Sequence, residues 1–202
     1  MGEMVGVSVI CNVYNQEKYI AQCLDGFVMQ QTNFAFEVLV HDDASTDGTA
    51  DIIREYEKKY PQIIKPIYQT ENQYSKGGVV RFQYPRITGK YVAFCEGDDF
   101  WTDPRKLQKQ YDALEANPDV DICTHAAVML NGRTDQKIRG IAPKNRSCVI
   151  PVEEVILGGG GYVATNSILY RAELIQDPPP FRKMMNLDYT LQIYGSLRGG
   201  ML

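Results

Sequence analysis

The chain has 202 residues, of which 44% are hydrophobic and 23% are charged, and its formal net charge is -4. These values are typical of one folded globular domain with a full hydrophobic core. The acidic balance argues against a general nucleic-acid-binding protein, because affinity for the phosphate backbone depends on clustered Lys and Arg.

The five cysteines are odd in number and scattered, and no two of them form a CxxC pair that would suggest a zinc or redox site. They are predicted to be buried free thiols in a reducing compartment. The sequence shows neither a signal-peptide-like start nor 18 consecutive apolar residues. We therefore expect a cytoplasmic protein.

Strands alternate with helices in the first part of the chain. The predicted strands cover residues 7–10, 36–40, 63–68 and 91–95. The predicted helices cover residues 20–28 and 52–60 and a third segment that Asp103 caps and Pro104 begins. This alternation predicts a mostly parallel α/β sheet with flanking helices.

The pattern changes after Pro118. Residues 120–130 and 162–170 are expected to form longer strands, separated by the polar stretch 131–146. The glycines at 158–161 predict a turn, and Leu187, Leu191 and Tyr194 predict one face of a helix. No linker divides the chain, so we expect a single domain over residues 1–202.

Polar side chains follow each of the first four predicted strands, at residues 12–15, 42–43, 71–76 and 96–99. Because the carboxyl ends of parallel strands meet at one edge of a sheet, these four groups are expected to converge at a ligand site.

The fourth group is unusually acidic, since Glu96, Asp98 and Asp99 lie within four residues of each other. Like charges in a crevice repel one another, and a divalent cation neutralises them. Carboxylate oxygens suit Mg²⁺ or Mn²⁺, which complete their shells with phosphate and water. The alternative interpretation is a solvated acidic turn, with Asp103 capping the next helix.

Three segments together carry a family resemblance. They read VSVICNVYNQEKYIAQCLD, then VLVHDDASTDGTADII and finally ITGKYVAFCEGDDFWTDPRKLQKQ. In this order they resemble the inverting family 2 glycosyltransferases of the GT-A fold, a Rossmann-like α/β architecture. The resemblance is strong over about residues 5–117 and weak beyond, so it implies a nucleotide-sugar-binding half at 1–117 and an acceptor-side half at 118–202 that is cut short at its C-terminus.

The resemblance implies roles for individual residues. The first two loops would hold the nucleotide through Asn12, Tyr14 and Asp43, with Glu17 close by. Glu96, Gly97 and Asp98 resemble the DxD motif, in which the acids lie toward the ribose and the metal. Glu stands here where Asp is commoner, so Asp98 is the preferred metal ligand and Glu96 the second.

Family members place a catalytic base late in the chain, in an acidic pair at the start of a helix. Asp188 resembles the second acid of that pair, whereas Leu187 replaces the first. Asp188 is therefore predicted to be the general base, against the alternative that it only helps to start its helix.

The resemblance also implies the substrates and the location. The donor would be a nucleotide-diphosphate sugar, with UDP as the preferred nucleotide and dTDP or GDP as alternatives. The acceptor would be a saccharide or a lipid-linked saccharide, which allows peripheral association with the inner face of the membrane.

Other functions remain open at this point. A non-catalytic nucleotide-sugar-binding domain would explain Leu187. A nucleotidyltransferase would need a glycine-rich basic loop after the first strand, which CNVYNQEKY does not provide. A calcium loop could use Asp43, Ser45 and Asp47, but Arg54 occupies the position of its bidentate acid.

Overall fold

The computed structural model describes residues 4–176 and 188–202. The chain divides into two compact units, Met1–Tyr111 and Asp112–Leu202, called here the first unit and the second unit. The organisation as a single domain with halves at 1–117 and 118–202 stays a prediction.

Four strands of the first unit form a parallel sheet in the order β3-β2-β1-β4. The strands are β1 Val5–Val13, β2 Ala35–Asp42, β3 Ile64–Tyr68 and β4 Tyr91–Phe94. All four predicted strands are therefore confirmed. Val13 pairs with Asp42, and Asp42 pairs with Tyr68, so the carboxyl ends of these strands lie at the same edge of the sheet.

Four helices accompany this sheet: α1 Ile20–Val28, α2 Thr49–Lys59, α3 Gly78–Gln83 and α4 Lys106–Ala116. The predicted spacing places Cys23, Leu24 and Phe27 of α1 in the core, where all three are fully buried. Trp101 is also buried and packs edge-on against Phe27, with ring centroids 4.9 Å apart. The short helix α3 was not predicted, because six residues are too few to show a helical period.

A buried hydrogen-bond network lies away from the carboxyl edge of the sheet, around Glu37 in β2. The Glu37 carboxylate accepts hydrogen bonds from Ser8 Oγ at 2.7 Å and from Thr88 Oγ1 at 2.6 Å. Lys65 Nζ lies 3.1 Å from the other carboxylate oxygen. Desolvation alone would raise the pKa of Glu37, but these hydrogen bonds together lower it below its usual value.

The second unit contains two pairs of antiparallel strands. β5 Ile122–Cys123 pairs with β8 Leu169–Arg171, and β6 Ala127–Leu130 pairs with β7 Lys137–Ile141. The described residues of this unit also form the helices α5 Val152–Gly158, α6 Glu173–Gln176 and α7 Asp188–Ser196.

Two strand predictions in the second unit were wrong. Residues 120–130 form two short strands, β5 and β6, instead of one. The first strand ends before Thr124, because the backbone N–H of Thr124 donates to Leu202 O. Residues 162–170 contain a 3-10 turn at Thr165–Ser167 before β8 begins. The polar stretch 131–146 was expected to be a connection but contains β7, an exposed strand without an apolar face.

Residues 199–202 close the second unit. Gly199 and Gly200 follow α7, and both residues have left-handed backbone angles, with φ of 73° and 84°. A Cβ atom at Gly200 would lie 2.5 Å from Ile150 O, so only glycine fits. Met201 then exchanges backbone hydrogen bonds of 2.7 and 2.8 Å with Ile150.

The five cysteines are free thiols, as predicted; four of them are buried, whereas Cys148 is half-buried and departs from the prediction. Within residues 4–176 and 188–202, no helix is long and apolar enough to cross a lipid bilayer.

Candidate functional site

Four loops meet at the carboxyl edge of the first unit's sheet. They are the first loop, residues 14–19; the second loop, residues 43–48; the third loop, residues 69–77; and the acidic loop, residues 95–100. Hydrogen bonds join the second loop to the first and the third, and the acidic loop to the end of β1. The predicted convergence of the polar groups is therefore confirmed.

The first and second loops are joined by side-chain-to-backbone hydrogen bonds. Asn15 N donates to Ser45 Oγ at 2.9 Å, and Thr46 N donates to Asn15 Oδ1 at 2.7 Å. Glu17 Oε2 accepts a 2.8 Å hydrogen bond from Gly48 N, at the start of α2. Glu17 thus lies in the predicted region, and in this structure its carboxylate holds the second loop.

Asp43 is buried at the base of the second loop. One carboxylate oxygen accepts Gln73 N at 2.7 Å, and the other accepts Tyr74 N at 3.0 Å. Asp43 therefore fixes the third loop, and only the remaining lone pairs of its oxygens are available to a nucleotide base.

Asp47 caps the start of α2. Its Oδ1 accepts hydrogen bonds from Thr49 N at 3.0 Å and from Thr49 Oγ1 at 2.5 Å. The carboxylates of both Asp43 and Asp47 accept hydrogen bonds from backbone N–H groups. The second loop therefore forms a turn that leads into the start of α2. This geometry disfavours the calcium-loop interpretation.

The end of β1 provides a side-chain amide, and the first loop that follows it provides an exposed aromatic ring. Tyr14 is 48% exposed, so its ring is available to stack on a planar ligand. Gln83 Nε2 lies 3.4 Å from Asn12 Oδ1 and donates at 2.7 Å to Leu39 O, which fixes the Asn12 amide relative to β2. Gln83 was not predicted as a site residue, because the sequence of α3 shows no helical period.

Gly97 brings the acidic loop against the first loop. Its N–H donates to Asn12 O at 3.2 Å. A Cβ atom there would lie 2.4 Å from Gln16 Oε1 and 3.0 Å from Val13 Cγ2, so a larger residue would displace the Gln16 side chain and crowd Val13. Gln16 was also missed, and its buried Oε1 has no hydrogen-bond partner in the structure.

The carboxylates on either side of Gly97 face solvent. Glu96 and Asp98 are both exposed, whereas Asp99 is half-buried. Burial raises the pKa of Asp99 to about 6, and the negative charge of Asp98 adds to this effect. The acidic loop therefore concentrates negative charge.

This donor set fits a hard divalent cation that is shared with a ligand. Within the described part of the chain, no three His, Cys, Asp or Glu side chains are grouped to hold a metal ion. Two exposed carboxylates, Glu96 and Asp98, are nevertheless the number of protein ligands that Mg²⁺ usually takes when phosphates complete its shell. The pair suits a cation that arrives together with a diphosphate.

Asp188 belongs to the second unit, where it is exposed at the first position of α7. Its Oδ2 accepts a 3.1 Å hydrogen bond from Thr165 Oγ1. The next residue, Tyr189, donates from its hydroxyl to Ile156 O of α5 at 2.5 Å. The first turn of α7 is therefore held from two directions, whereas Leu187 lies outside the described residues.

Comparison with known sequences identifies the family. The family model described as "Glycosyl transferase family 2" matches residues 8–175. The uncharacterized protein Rv1520 of Mycobacterium tuberculosis is 36% identical over 197 residues, which cover 96% of this chain and 54% of that protein. The putative teichuronic acid biosynthesis glycosyltransferase TuaG of Bacillus subtilis is 40% identical over 109 residues, covering 54% of this chain and 41% of TuaG. The chain spans about half the length of the curated relatives it matches.

Comparison with solved structures identifies the fold. S. aureus TarS 1-349 in complex with UDP has a TM-score of 0.70 at 22% identity, over 98% of this chain and 58% of that one. The mannosyltransferase PcManGT from Pyrobaculum calidifontis, in complex with GDP-Man and Mn²⁺, has a TM-score of 0.67 at 18% identity, over 100% of this chain and 57% of that one. These similarities confirm the predicted GT-A fold. Since the family model covers most of the chain, the protein belongs to glycosyl transferase family 2.

Proposed function

We propose that this protein is a metal-dependent inverting glycosyltransferase, which transfers a sugar from a nucleotide-diphosphate sugar to a hydroxyl acceptor. One observation carries the proposal: in a family 2 chain, the acidic loop with Glu96 and Asp98 is held against the end of β1, at the edge where the three other loops converge. In the proposal, this edge would bind the nucleotide base at the first two loops and the diphosphate at the acidic loop beside them.

The donor would bind across the first unit. The exposed ring of Tyr14 would stack on the nucleotide base, and Asn12 and Asp43 would offer hydrogen bonds to its edge. We propose UDP as the nucleotide, supported by the complex of TarS with UDP, and GDP is the alternative suggested by the complex of PcManGT.

Asp98 and Glu96 would hold Mn²⁺ or Mg²⁺ against the diphosphate. When bound, such a cation acts as a Lewis acid that stabilises the departing nucleoside diphosphate. The two side chains would orient the diphosphate, and Gly97 would keep them at a fixed distance from the first loop.

Asp188 would be the general base that accepts the proton of the acceptor hydroxyl, so that the hydroxyl attacks the anomeric carbon with inversion. Its exposure leaves it accessible to an acceptor, and the hydrogen bond from Thr165 fixes one of its oxygens. The other oxygen remains available for the proton.

The acceptor would be a saccharide or a lipid-linked saccharide in polysaccharide or glycolipid synthesis. The similarity to TuaG, whose name places it in teichuronic acid biosynthesis, supports this part of the proposal. A lipid-linked acceptor would lie in a membrane, so we propose a cytoplasmic location with peripheral association at the inner face of the membrane.

The test measures donor binding and turnover separately. Thermal shift with UDP-, dTDP- and GDP-sugars, with and without Mn²⁺, should identify the donor, because a ligand that binds only the folded state raises Tm. Asp98→Asn should remove the Mn²⁺-dependent part of the shift, whereas Glu55→Gln, an exposed acid on α2, should leave it intact.

Asp188→Asn should keep the thermal shift and lower donor hydrolysis or transfer by about 10²- to 10⁴-fold, the usual loss when a general base is removed. Full Mn²⁺ dependence in Asp98→Asn would overturn the metal assignment. A donor-induced shift without turnover in the wild-type protein would favour the alternative of a non-catalytic binding domain.

A further inference from the structure

Basic charge is concentrated in one segment of the second unit, residues 127–146, called here the basic hairpin. It contains five basic residues and one acidic residue: Arg133, Lys137, Arg139, Lys144, Arg146 and Asp135. The whole chain has 21 Lys and Arg against 25 Asp and Glu, so the remaining residues carry 16 bases against 24 acids. The basic hairpin therefore has a net charge of +4, whereas the rest of the chain has a net charge of -8.

The basic hairpin is built on the isolated two-stranded sheet of β6 and β7. Every residue from 131 to 140 is exposed. Within the described part of the chain, Lys144 pairs with Glu154 at 2.5 Å, whereas no carboxylate lies within ion-pair distance of Arg133, Lys137 or Arg139. These three charges are available to an external anion.

Apolar side chains stand among these charges. Val128 is 53% exposed, Met129 39% and Ile138 59%, in a unit whose β5 residues are buried. Met129 is the cross-strand partner of Arg139, and Leu130 is the partner of Lys137, so each pair places an apolar side chain next to a basic one, and the two pairs lie on opposite faces of the hairpin.

This combination discriminates between two kinds of anionic partner. A soluble polyanion is bound by the charges alone and gains nothing from exposed Val, Met and Ile side chains. A bilayer with anionic headgroups attracts the basic residues and also accepts apolar side chains at the boundary between headgroups and acyl chains. The mixture therefore favours a lipid surface.

We propose that the basic hairpin is the surface by which this protein docks on an anionic phospholipid bilayer. The proposal rests on the peripheral membrane association stated above and assigns the residues responsible for it. It is independent of the donor, the metal and Asp188.

The test uses the full chain and sedimentation with vesicles of phosphatidylcholine, with and without phosphatidylglycerol. The wild-type protein should bind the anionic vesicles, and added salt should weaken the binding. Each basic residue near such a surface contributes about fivefold in affinity, so reversing three of them should lower binding at least about a hundredfold. The charge-reversal variant combines Arg133→Glu, Lys137→Glu and Arg139→Glu.

A matched control reverses three exposed basic residues of the first unit and changes the net charge equally: Lys58→Glu, Lys59→Glu and Arg105→Glu. This control should lose much less binding. An apolar variant, Val128→Ser with Ile138→Ser, should also bind less, although its charge is unchanged. Circular dichroism and the donor-induced thermal shift establish that every variant is folded.

Each outcome decides between the alternatives. If the wild-type protein binds anionic vesicles and both charge variants lose the same affinity, membrane association stands but the basic hairpin is not its surface. If inorganic polyphosphate displaces the vesicles and the apolar variant binds normally, the segment is a polyanion site and the lipid proposal is wrong. If the wild-type protein does not bind anionic vesicles, membrane association itself fails, whereas the donor assays still test glycosyl transfer.

Discussion

Asp43→Asn offers a direct test of how the site is assembled. In the wild-type protein, the two carboxylate oxygens of Asp43 accept the backbone N–H groups of Gln73 and Tyr74. An asparagine has one oxygen and one NH₂ group, so it can keep one of these bonds. Its NH₂ group would face the other backbone donor, which would then lose its partner.

The magnitude follows from the type of bond. A hydrogen bond to a charged group contributes about 1.5–3 kcal/mol, and the lost bond should lower the free energy of opening of the third loop by that amount. Hydrogen exchange at the amides of residues 73 and 74 should accelerate about 10- to 150-fold as a result. Because this opening is local, the global free energy of unfolding should change much less.

The assay is amide hydrogen exchange resolved to these residues. Asp47→Asn is the matched control, because Asp47 lies in the same loop, but its hydrogen bonds within the described residues come from Thr49 and from Glu17 N and not from the third loop. It should accelerate exchange at Thr49 and leave residues 73 and 74 protected. Unchanged exchange at residues 73 and 74 in Asp43→Asn would refute the assigned role of Asp43.

Three further changes test other parts of the structure. Gly97→Ala places a Cβ atom 2.4 Å from Gln16 Oε1. This change should lower the free energy of unfolding in urea by about 1–3 kcal/mol and weaken donor binding. The control Gly140→Ala should have neither effect, because a Cβ atom at residue 140 meets nothing within 4 Å. Glu37→Gln should lower the free energy of unfolding by about 2 kcal/mol at neutral pH. Because the pKa of Glu37 is lower in the folded state, the stabilisation by its carboxylate exists above the unfolded-state pKa and disappears as the pH falls through the folded-state pKa. Equal free energies of unfolding for wild-type and variant proteins at pH 7 would contradict this prediction. Thr165→Val should lower kcat about tenfold without changing the KM of the donor, because valine lacks the hydroxyl that holds Asp188. Thr165→Ser keeps a hydroxyl and should have the wild-type kcat. A change in the KM of the donor alone would indicate a different role for Thr165.

The sequence predicted the first unit well, because its signals are local. The strands are runs of buried apolar residues, and α1 and α2 show the helical period over two or more turns. The second unit was predicted poorly for a physical reason. Its β7 is paired but exposed on both faces, so charged and apolar residues follow each other without a period of two, and α5 covers only seven residues.

The site was predictable at the level of loops but not of partners. Parallel strands bring their carboxyl ends together, so the convergence of the polar groups follows from the fold class alone. The bonds that fix the loops join residues far apart in the chain, such as Gln83 with Leu39 or Asp43 with Gln73. No local pattern encodes such pairs, because each depends on the packing of two separate elements.

The backbone of the acidic loop is fixed on both sides of Glu96. Cys95 N donates to Ile10 O, and Gly97 N donates to Asn12 O, so the loop backbone is tied to β1 on either side of Glu96. The absence of a side chain at residue 97 lets this contact form. With the backbone fixed, Glu96 and Asp98 stay close together on one short loop, and the cation of the proposed metal site would offset their mutual repulsion. In the proposed function, these two carboxylates would be the protein's part of a metal site that a diphosphate completes.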